Sequence, residues 1–389
     1  MIYSFGAKNF CSFKEGMNIS FELNAKVPKN VSQGRKASTV LGIKGANASG
    51  KTGVLKALSF ISSFASHSFN NADEDPIRLI SFFNNSKPSE FYIDFEINGV
   101  RYIYELKVTN KEVLREALYK KISRRSLIFE RIKNVVIKKT SALEEIELIQ
   151  LRSNASLIST ATRYKLSKPN DDLLNAFIFF TLFQGNVYSI GVLGDTYYSL
   201  ERASKFYKEH PEALNFAKTI IQKCDLGISD IKILERSTPA NEKEFFPIFL
   251  HDTEAITDEK NWLTSHSESS GTIALYSKLY LYWNMLRGGG VLVMDEFDVH
   301  CHPMLLPHLI ELFIDPETNK TNAQFIFTAH STDIIDFLGK YRVVLVNKDK
   351  SESFCYRLDE IPGDLVRNDR PIAPLYRDGK IGGVPRYGE

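Results

Sequence analysis

An α/β fold whose core is built from both ends of the chain is predicted by three segments: GANASGKT at Gly45–Thr52, VLVMDE at Val291–Glu296 and FIFTAHS at Phe325–Ser331. Each holds or follows a short apolar run that reads as a buried strand, with small or polar residues where the strand would end. The first segment lies early in the chain and the other two lie late. The residues between them therefore read as an insert into one core.

Gly45–Thr52 matches G-x-x-x-x-G-K-[ST] without interruption. Ser38–Lys44 (STVLGIK) predicts the entering strand, and Gly53–Phe64 predicts a helix carrying Val54, Leu55, Leu58 and Ile61 on one side. Strand, glycine loop and helix N-terminus form a cage of backbone N–H groups, to which the helix dipole adds positive potential. That cage suits a nucleoside triphosphate. Gly45, Ala46, Asn47, Ala48, Ser49 and Gly50 would line it, Lys51 would reach the β- and γ-phosphates, and the Thr52 hydroxyl would ligate Mg²⁺.

Val291–Met294 follows three glycines and ends in Asp295-Glu296, the Walker B arrangement. Asp295 would hold the Mg²⁺ shell and Glu296 would act as general base on the attacking water. Phe325–Thr328 leads to Ala329-His330-Ser331, where His330 is placed to contact a γ-phosphate and report its presence. Upstream, Ser269-Ser270-Gly271-Thr272 opens a long amphipathic helix, a second helix start suited to an anion. One subunit does not need two such starts for one triphosphate. Ser269 and Gly271 are therefore expected to cap the γ-phosphate bound to a second copy.

The chain has 389 residues, 43% of them hydrophobic and 25% charged, with 27 Phe and 17 Tyr, a composition that excludes disorder. Net charge is +2, but residues 101–140 carry 12 Lys/Arg against 4 Asp/Glu. That basic stretch is a possible dock for nucleic acid or an acidic partner. Cys11, Cys224, Cys301 and Cys355 are scattered without zinc spacing, which fits free thiols in a reducing compartment. MIYSFGAKNF lacks the basic n-region and apolar core of a signal peptide. The most apolar stretch, Ala176–Leu193, is too interrupted for a membrane span, so a cytoplasmic protein with no membrane partner is expected.

Ile2–Leu23 reads as two strands around a turn at Glu15–Gly16, and Asn70–Ser89 as a polar connection. Phe91–Ile97, Asn98-Gly99 and Val100–Val108 read as a hairpin, with further strands at Ser126–Ile132 and Val135–Lys139. From Asp171 to Ile221 the pattern is helical, with Leu173, Leu174, Phe177 and Ile178 opening an apolar face, and Asp230–Leu234 resumes the α/β pattern. Three parts follow: 1–165 with the phosphate loop and the basic β-lobe, 166–260 as a mainly helical insert or lid, and 261–389 with the remaining nucleotide elements. The insert lacks the a/d heptads of a long coiled coil.

With these elements in order, the chain resembles ATPases with an ABC-type head, the group of RecF, SMC heads and OLD-like proteins. Glu268–Thr272 (ESSGT) stands where that group has its signature, Asp295–Pro303 (DEFDVHCHP) is similar to its Walker B and D-loop run, and Thr328–Ser331 (TAHS) to its switch-histidine strand. Asn9–Phe13 looks like its first strand. The tail Tyr376–Pro385 resembles compact ATPases of bacterial phage-defence systems such as PARIS and Septu. The resemblance implies a P-loop NTPase fold with a mixed β-lobe, ATP and Mg²⁺ as cofactors, and slow or fast hydrolysis through Lys51, Glu296 and His330. It also implies a homodimer or larger homo-oligomer with Asp298 at its seam. As no nuclease chemistry is visible, a separately encoded nuclease or toxin effector is implied, with a RecF-like DNA-binding ATPase as the alternative. One departure stands out: no glutamine lies between the phosphate-loop helix and the Asn98-Gly99 hairpin, where the group carries its Q-loop.

Overall fold

The computed structural model describes residues 1–164, 170–192, 199–224, 227–237, 243–252, 261–299, 301–367 and 369–384. His300, within the Walker B and D-loop run, and Pro385, the end of the tail motif, lie outside them. The chain divides into two compact units, one of Met1–Val192, Gly289–Phe297 and Asn322–Glu389, the other of Leu193–Gly288 and Asp298–Thr321.

The first unit begins with β1 (Ile2–Lys8) and β2 (Met17–Ser20), then a short α1 (Lys29–Ser32), β3 (Val40–Gly45) and α2 (Lys51–His67). A meander follows: β4 (Ser89–Ile97), β5 (Val100–Val108), β6 (Val113–Lys121), β7 (Arg125–Ile132) and β8 (Val135–Lys139). Asn98 (φ 51°) and Gly99 (φ 74°) both take the left-handed conformation that a tight hairpin turn requires. These strands form a seven-stranded antiparallel sheet in the order β2-β1-β4-β5-β6-β7-β8. Next come α3 (Leu157–Ala161), α4 (Asp171–Thr181), the three-residue β9 (Phe183–Gly185), and a small hairpin of β10 (Val187–Tyr188) and β11 (Gly191–Val192).

The second unit holds α5 (Leu200–Glu209), α6 (Pro211–Cys224), the antiparallel β12 (Ile228–Ser237), β13 (Lys243–His251) and β14 (Trp262–Thr264), and α7 (Ser270–Gly288). The insert thus carries a long β-hairpin as well as helices. After β15 (Val291–Met294), which belongs to the first unit, α8 (Leu306–Ile314) completes the second. The chain then finishes in the first with β16 (Gln324–Thr328), α9 (Ile334–Leu338), β17 (Val343–Asp349), β18 (Glu352–Arg357) and α10 (Ala373–Arg377).

The nucleotide elements share one six-stranded sheet, β18-β17-β3-β16-β15-β9, parallel except for β18. Its inner strands β3, β15, β16 and β17 are mainly apolar and buried, as a sheet covered on both faces demands. Val54, Leu55, Leu58 and Ile61 of α2 are fully buried against it, as their spacing predicts. The strand ends following β3, β15 and β16 all face the same edge, so distant motifs converge there.

Two expectations change. Asn9–Phe13 is a tight loop after β1 rather than a strand, with Asn9 and Cys11 at positive φ and Phe10 bridging to Phe13. The Asn9 amide donates to Lys87 O (2.9 Å), and Phe10 packs edge-on against Phe91 (5.1 Å). On α4 the buried residues are Leu173, Ala176, Phe179 and Phe180, while Leu174 is exposed. The reason is aromatic: Phe179 stacks on Phe95 at 4.1 Å, and Phe180 meets Tyr104 at 5.3 Å, which turns the helix toward the meander. The interrupted apolar stretch that begins at Ala176 forms, up to Val192, a helix end and short strands, with Leu193 outside the described residues; as expected, no helix among the described residues is long and apolar enough to cross a membrane.

Candidate functional site

The phosphate loop closes tightly around itself. An added Cβ at Gly45 would lie 2.4 Å from Val346 O and 2.5 Å from Ser49 Oγ, so only glycine fits there. Gly50 sits at φ 114° as the N-cap of α2, with the Ser12 and Ser353 hydroxyls against it. Gly53, a poor helix former, has its own reason: a Cβ there would press on Cys11 at 3.3 Å, and its absence lets the Asn9–Phe13 loop approach the helix. The Ser49 Oγ is buried without a hydrogen-bond partner among the described residues. Lys51 Nζ donates to Gly45 O (2.9 Å) and Ala46 O (3.0 Å), at the mouth of the loop.

Asp295 is almost buried and is gripped from the start of helix α2 and the end of strand β16. The Thr52 hydroxyl donates to its Oδ2 at 2.8 Å, and the Thr328 hydroxyl to its Oδ1 at 2.6 Å. Its backbone is fixed as firmly: Asn186 Nδ2 donates to Asp295 O (2.9 Å), and Asp295 N donates to Asn186 Oδ1 (2.7 Å). Glu296 differs. It is exposed, takes φ 49°, and receives only a 3.3 Å contact to its Oε1 from His330 Nε2. A non-glycine residue held in the left-handed region stores strain of order 1–3 kcal/mol, a pattern that clusters at functional sites. The Thr328 hydroxyl also accepts from Glu296 N at 2.7 Å, so one threonine sets both acids.

Gly45–Thr52, Asp295, Glu296 and His330 thus meet at one sheet edge in the first unit. The loop residues Gly45–Ser49, with Ala329, His330 and Tyr376, line a cavity of about 990 Å³. Ser269 and Gly271 lie in the second unit, where they line a separate cavity of about 740 Å³ with Cys301, His302 and His308. The Ser269 hydroxyl accepts from Thr272 N (3.0 Å), capping α7. The preceding Glu268 carboxylate is buried and contacts His251 Nε2 at 2.6 Å. Asp298 is half-buried in the same unit.

Two functional candidates escaped the sequence reading. Asn186, which locks Asp295, and Gln184 flank Gly185, where a Cβ would fall 1.8 Å from Val293 O. Glycine therefore lets β9 lie directly beside β15, which sets Gln184 opposite Leu292 of the Walker B strand. The signal was the polar Gln184-Gly185-Asn186 triplet interrupting an apolar run.

The residues fit a magnesium–nucleoside triphosphate. A positive-φ glycine precedes a 17-residue helix, an unpartnered hydroxyl faces the loop interior, and a hydroxyl and a carboxylate stand side by side as hard oxygen donors. Among the described residues no three His, Cys, Asp or Glu cluster as a protein-only metal site.

A phosphate loop, an acid pair ending a parallel strand, and a histidine ending the strand between them define an ABC-like P-loop ATPase core. The chain belongs to the family described as "AAA domain, putative AbiEii toxin, Type IV TA system", whose model matches residues 40–336. No curated protein sequence matches it. Among solved structures it is similar to the SMC head domain from Thermotoga maritima, at 14% identity over 92% of this chain and 98% of that one, with a TM-score of 0.45. It is also similar to the Smc head domain with an extended coiled coil, bound to the C-terminal domain of ScpA, from Pyrococcus furiosus (15% identity, 92% and 97% covered, TM-score 0.46). The fold assignment itself rests on the strand order and the phosphate loop.

Proposed function

We propose that this protein is an ATP-hydrolysing switch whose ATP-dependent self-assembly controls a partner effector in anti-phage defence. The observation that carries the reading is the grip of Thr52 and Thr328 on Asp295, which joins the phosphate loop, the acid pair and the switch strand in one hydrogen-bonded unit. Backbone N–H groups of the loop and Lys51 bind the phosphates, while Thr52 and Asp295 hold Mg²⁺. When bound, Mg²⁺ shields the phosphate charge. Glu296 takes the proton of the attacking water, and its strained backbone aims the carboxylate outward from the strand end. His330 holds Glu296 from the other side and reads the γ-phosphate. Gln184 completes the water-side polar shell.

Ser269 and Gly271 act in trans on the triphosphate of a second copy, with Asp298 at the seam. By role, 1–165 and 261–389 are the head and 166–260 its lid. By packing, α7 joins the second unit instead, which makes the signature helix the part that carries the nucleotide state away from the core. The family description names an AbiEii toxin and a type IV toxin–antitoxin system, which supports a defence role; kinship to PARIS and Septu ATPases and a cytoplasmic location belong to the same proposal.

Direct DNA docking, as a RecF-like protein would need, is less supported. Ten of the twelve Lys/Arg in residues 101–140 pair with carboxylates. Equilibrium binding of a fluorescent ATP analogue to wild type and Lys51→Ala tests the site. Loss of affinity in the variant is expected, whereas equal affinity removes the nucleotide reading.

A further inference from the structure

We propose that Lys44, the residue before the phosphate loop, is a positioning residue that sets the His330 loop against Glu296 as phosphate loads the site. The inference rests on the nucleotide reading above. Lys44 is the last residue but one of β3 and is 2% exposed. Its ammonium donates to three successive carbonyls beyond β16: Ala329 O (2.7 Å), His330 O (2.8 Å) and Ser331 O (3.0 Å). An ammonium has three N–H donors, so the three carbonyls match them in number. A buried charge is tolerated only when satisfied in this way. The backbone of the switch loop is therefore hung from a single side chain.

That side chain grows from the residue next to Gly45, whose carbonyl accepts from Lys51 Nζ. The two lysines hold neighbouring points of one backbone step. A phosphate that engages Lys51 competes with the Gly45 and Ala46 carbonyls for its donors. A change at that step reaches Lys44 directly, because Gly45 is too closely packed against Val346 and Ser49 to absorb it.

The C-terminal segment closes over the same place. The Lys44 ammonium lies 5.8 Å from the centre of the Tyr376 ring, and the Tyr376 hydroxyl donates to Gly383 O at 2.9 Å. Gly383 N in turn donates to Asn347 Oδ1 (2.7 Å), and Arg377 pairs with Asp333 just past the switch loop (2.7 Å). At the far end of the relay, His330 Nε2 stands 3.3 Å from Glu296 Oε1. Lys44 also lines the cavity of the phosphate loop, but its ammonium is turned to these carbonyls, so its effect is assigned to the placing of His330.

The test is a double-mutant cycle of Lys44→Met and His330→Ala, with kcat, KM and ATP affinity measured for all four proteins. A misplaced histidine loop is expected to lower kcat on the order of tenfold to a hundredfold, while ATP affinity stays within about threefold. Lys44→Met should add little to His330→Ala, because both break the same link. Wild-type kcat in Lys44→Met, or losses that simply multiply, would overturn the proposal. Should Lys44→Met not fold, Lys44→Arg carries the test. Its planar fork cannot serve three carbonyls in the same way, so its kcat is expected between those of wild type and His330→Ala, and wild-type kcat would overturn the proposal. Failure of the nucleotide reading looks different: the wild type itself would neither bind nor hydrolyse ATP, and both ideas fall together.

Discussion

Asp295 is nearly buried and held by two hydroxyls and an asparagine clamp, whereas the basic residues between 101 and 140 spend their charge on their neighbours across the sheet. Arg115 bridges Glu105 and Glu130, and Arg101 bridges Glu22 and Asp94. In the first region each polar contact joins motifs far apart in the chain. In the second most contacts stay within the one antiparallel sheet, as Arg115 does between β5 and β7, with Lys120–Asp172 and Lys139–Glu147 reaching just outside it. The comparison teaches that a surplus of charge counted along the sequence is not a surface field, because cross-strand pairs cancel most of it. A short motif at the right strand end is different: its geometry is local and survives folding unchanged.

The largest expected effect breaks the first region alone. Glu296→Gln should lower kcat by about 10²–10⁴ while ATP binding persists; single-turnover kinetics beside equilibrium binding will separate the two. In the second region the strongest site is the fully buried Arg131–Glu116 pair, with Arg131 Nε 2.7 Å from Glu116 Oε2. Glu116 also accepts from the Tyr104 hydroxyl and from Leu157 N, and burial with the nearby carboxylate pushes the Tyr104 phenol well above its ordinary range. Arg131→Met leaves a buried carboxylate unpaired, at a cost of about 3–5 kcal/mol. Denaturant melts should show it, with ATP affinity unchanged in the folded fraction.

Asn186→Ala sharpens the contrast, since it strips two buried bonds from Asp295. A loss of about 1–3 kcal/mol is expected, accompanied by a fall in kcat that Arg131→Met lacks. Smaller still, Lys107→Met removes an exposed partner of Glu90 and should move stability by no more than about 1 kcal/mol. DNA affinity, if any, should show a shallow salt slope, because each phosphate contacted contributes only about −0.9. A steep slope would mean that the paired lysines and arginines let go of their carboxylates.

The thiols give the mildest readout. Burial pushes Cys11 up to about 11 and Cys355 up to about 12, while Cys224 is exposed. Since the thiolate is the reactive form, alkylation at pH 8 should mark Cys224 first. Cys11 and Cys355 should gain reactivity only as the pH climbs toward those values, which mass spectrometry of labelled peptides will follow.

How much of this could be read from sequence differs by region for physical reasons. The phosphate loop, the acid pair, the switch histidine and the Asn98-Gly99 hairpin were legible because each is a run of adjacent residues with its own backbone demand. β6 was not read as a strand: VLREALYKK buries Glu116, a residue whose place is explained only by Arg131 on the next strand. β9 is three residues long and owes its existence to β15, far along the chain, so Gln184 and Asn186 gave only a faint signal. Lys44 enters the sequence reading only as the end of the expected strand Ser38–Lys44, and its carbonyl partners lie more than 280 positions away.

On the proposed function, ATP at this edge drives two copies together. Mass photometry of wild type, Glu296→Gln and Ser269→Arg, with and without Mg-ATP, puts that to the test. The expected result is a nucleotide-dependent rise in mass that Glu296→Gln traps and that Ser269→Arg abolishes. A mass that ignores nucleotide in all three proteins would contradict it.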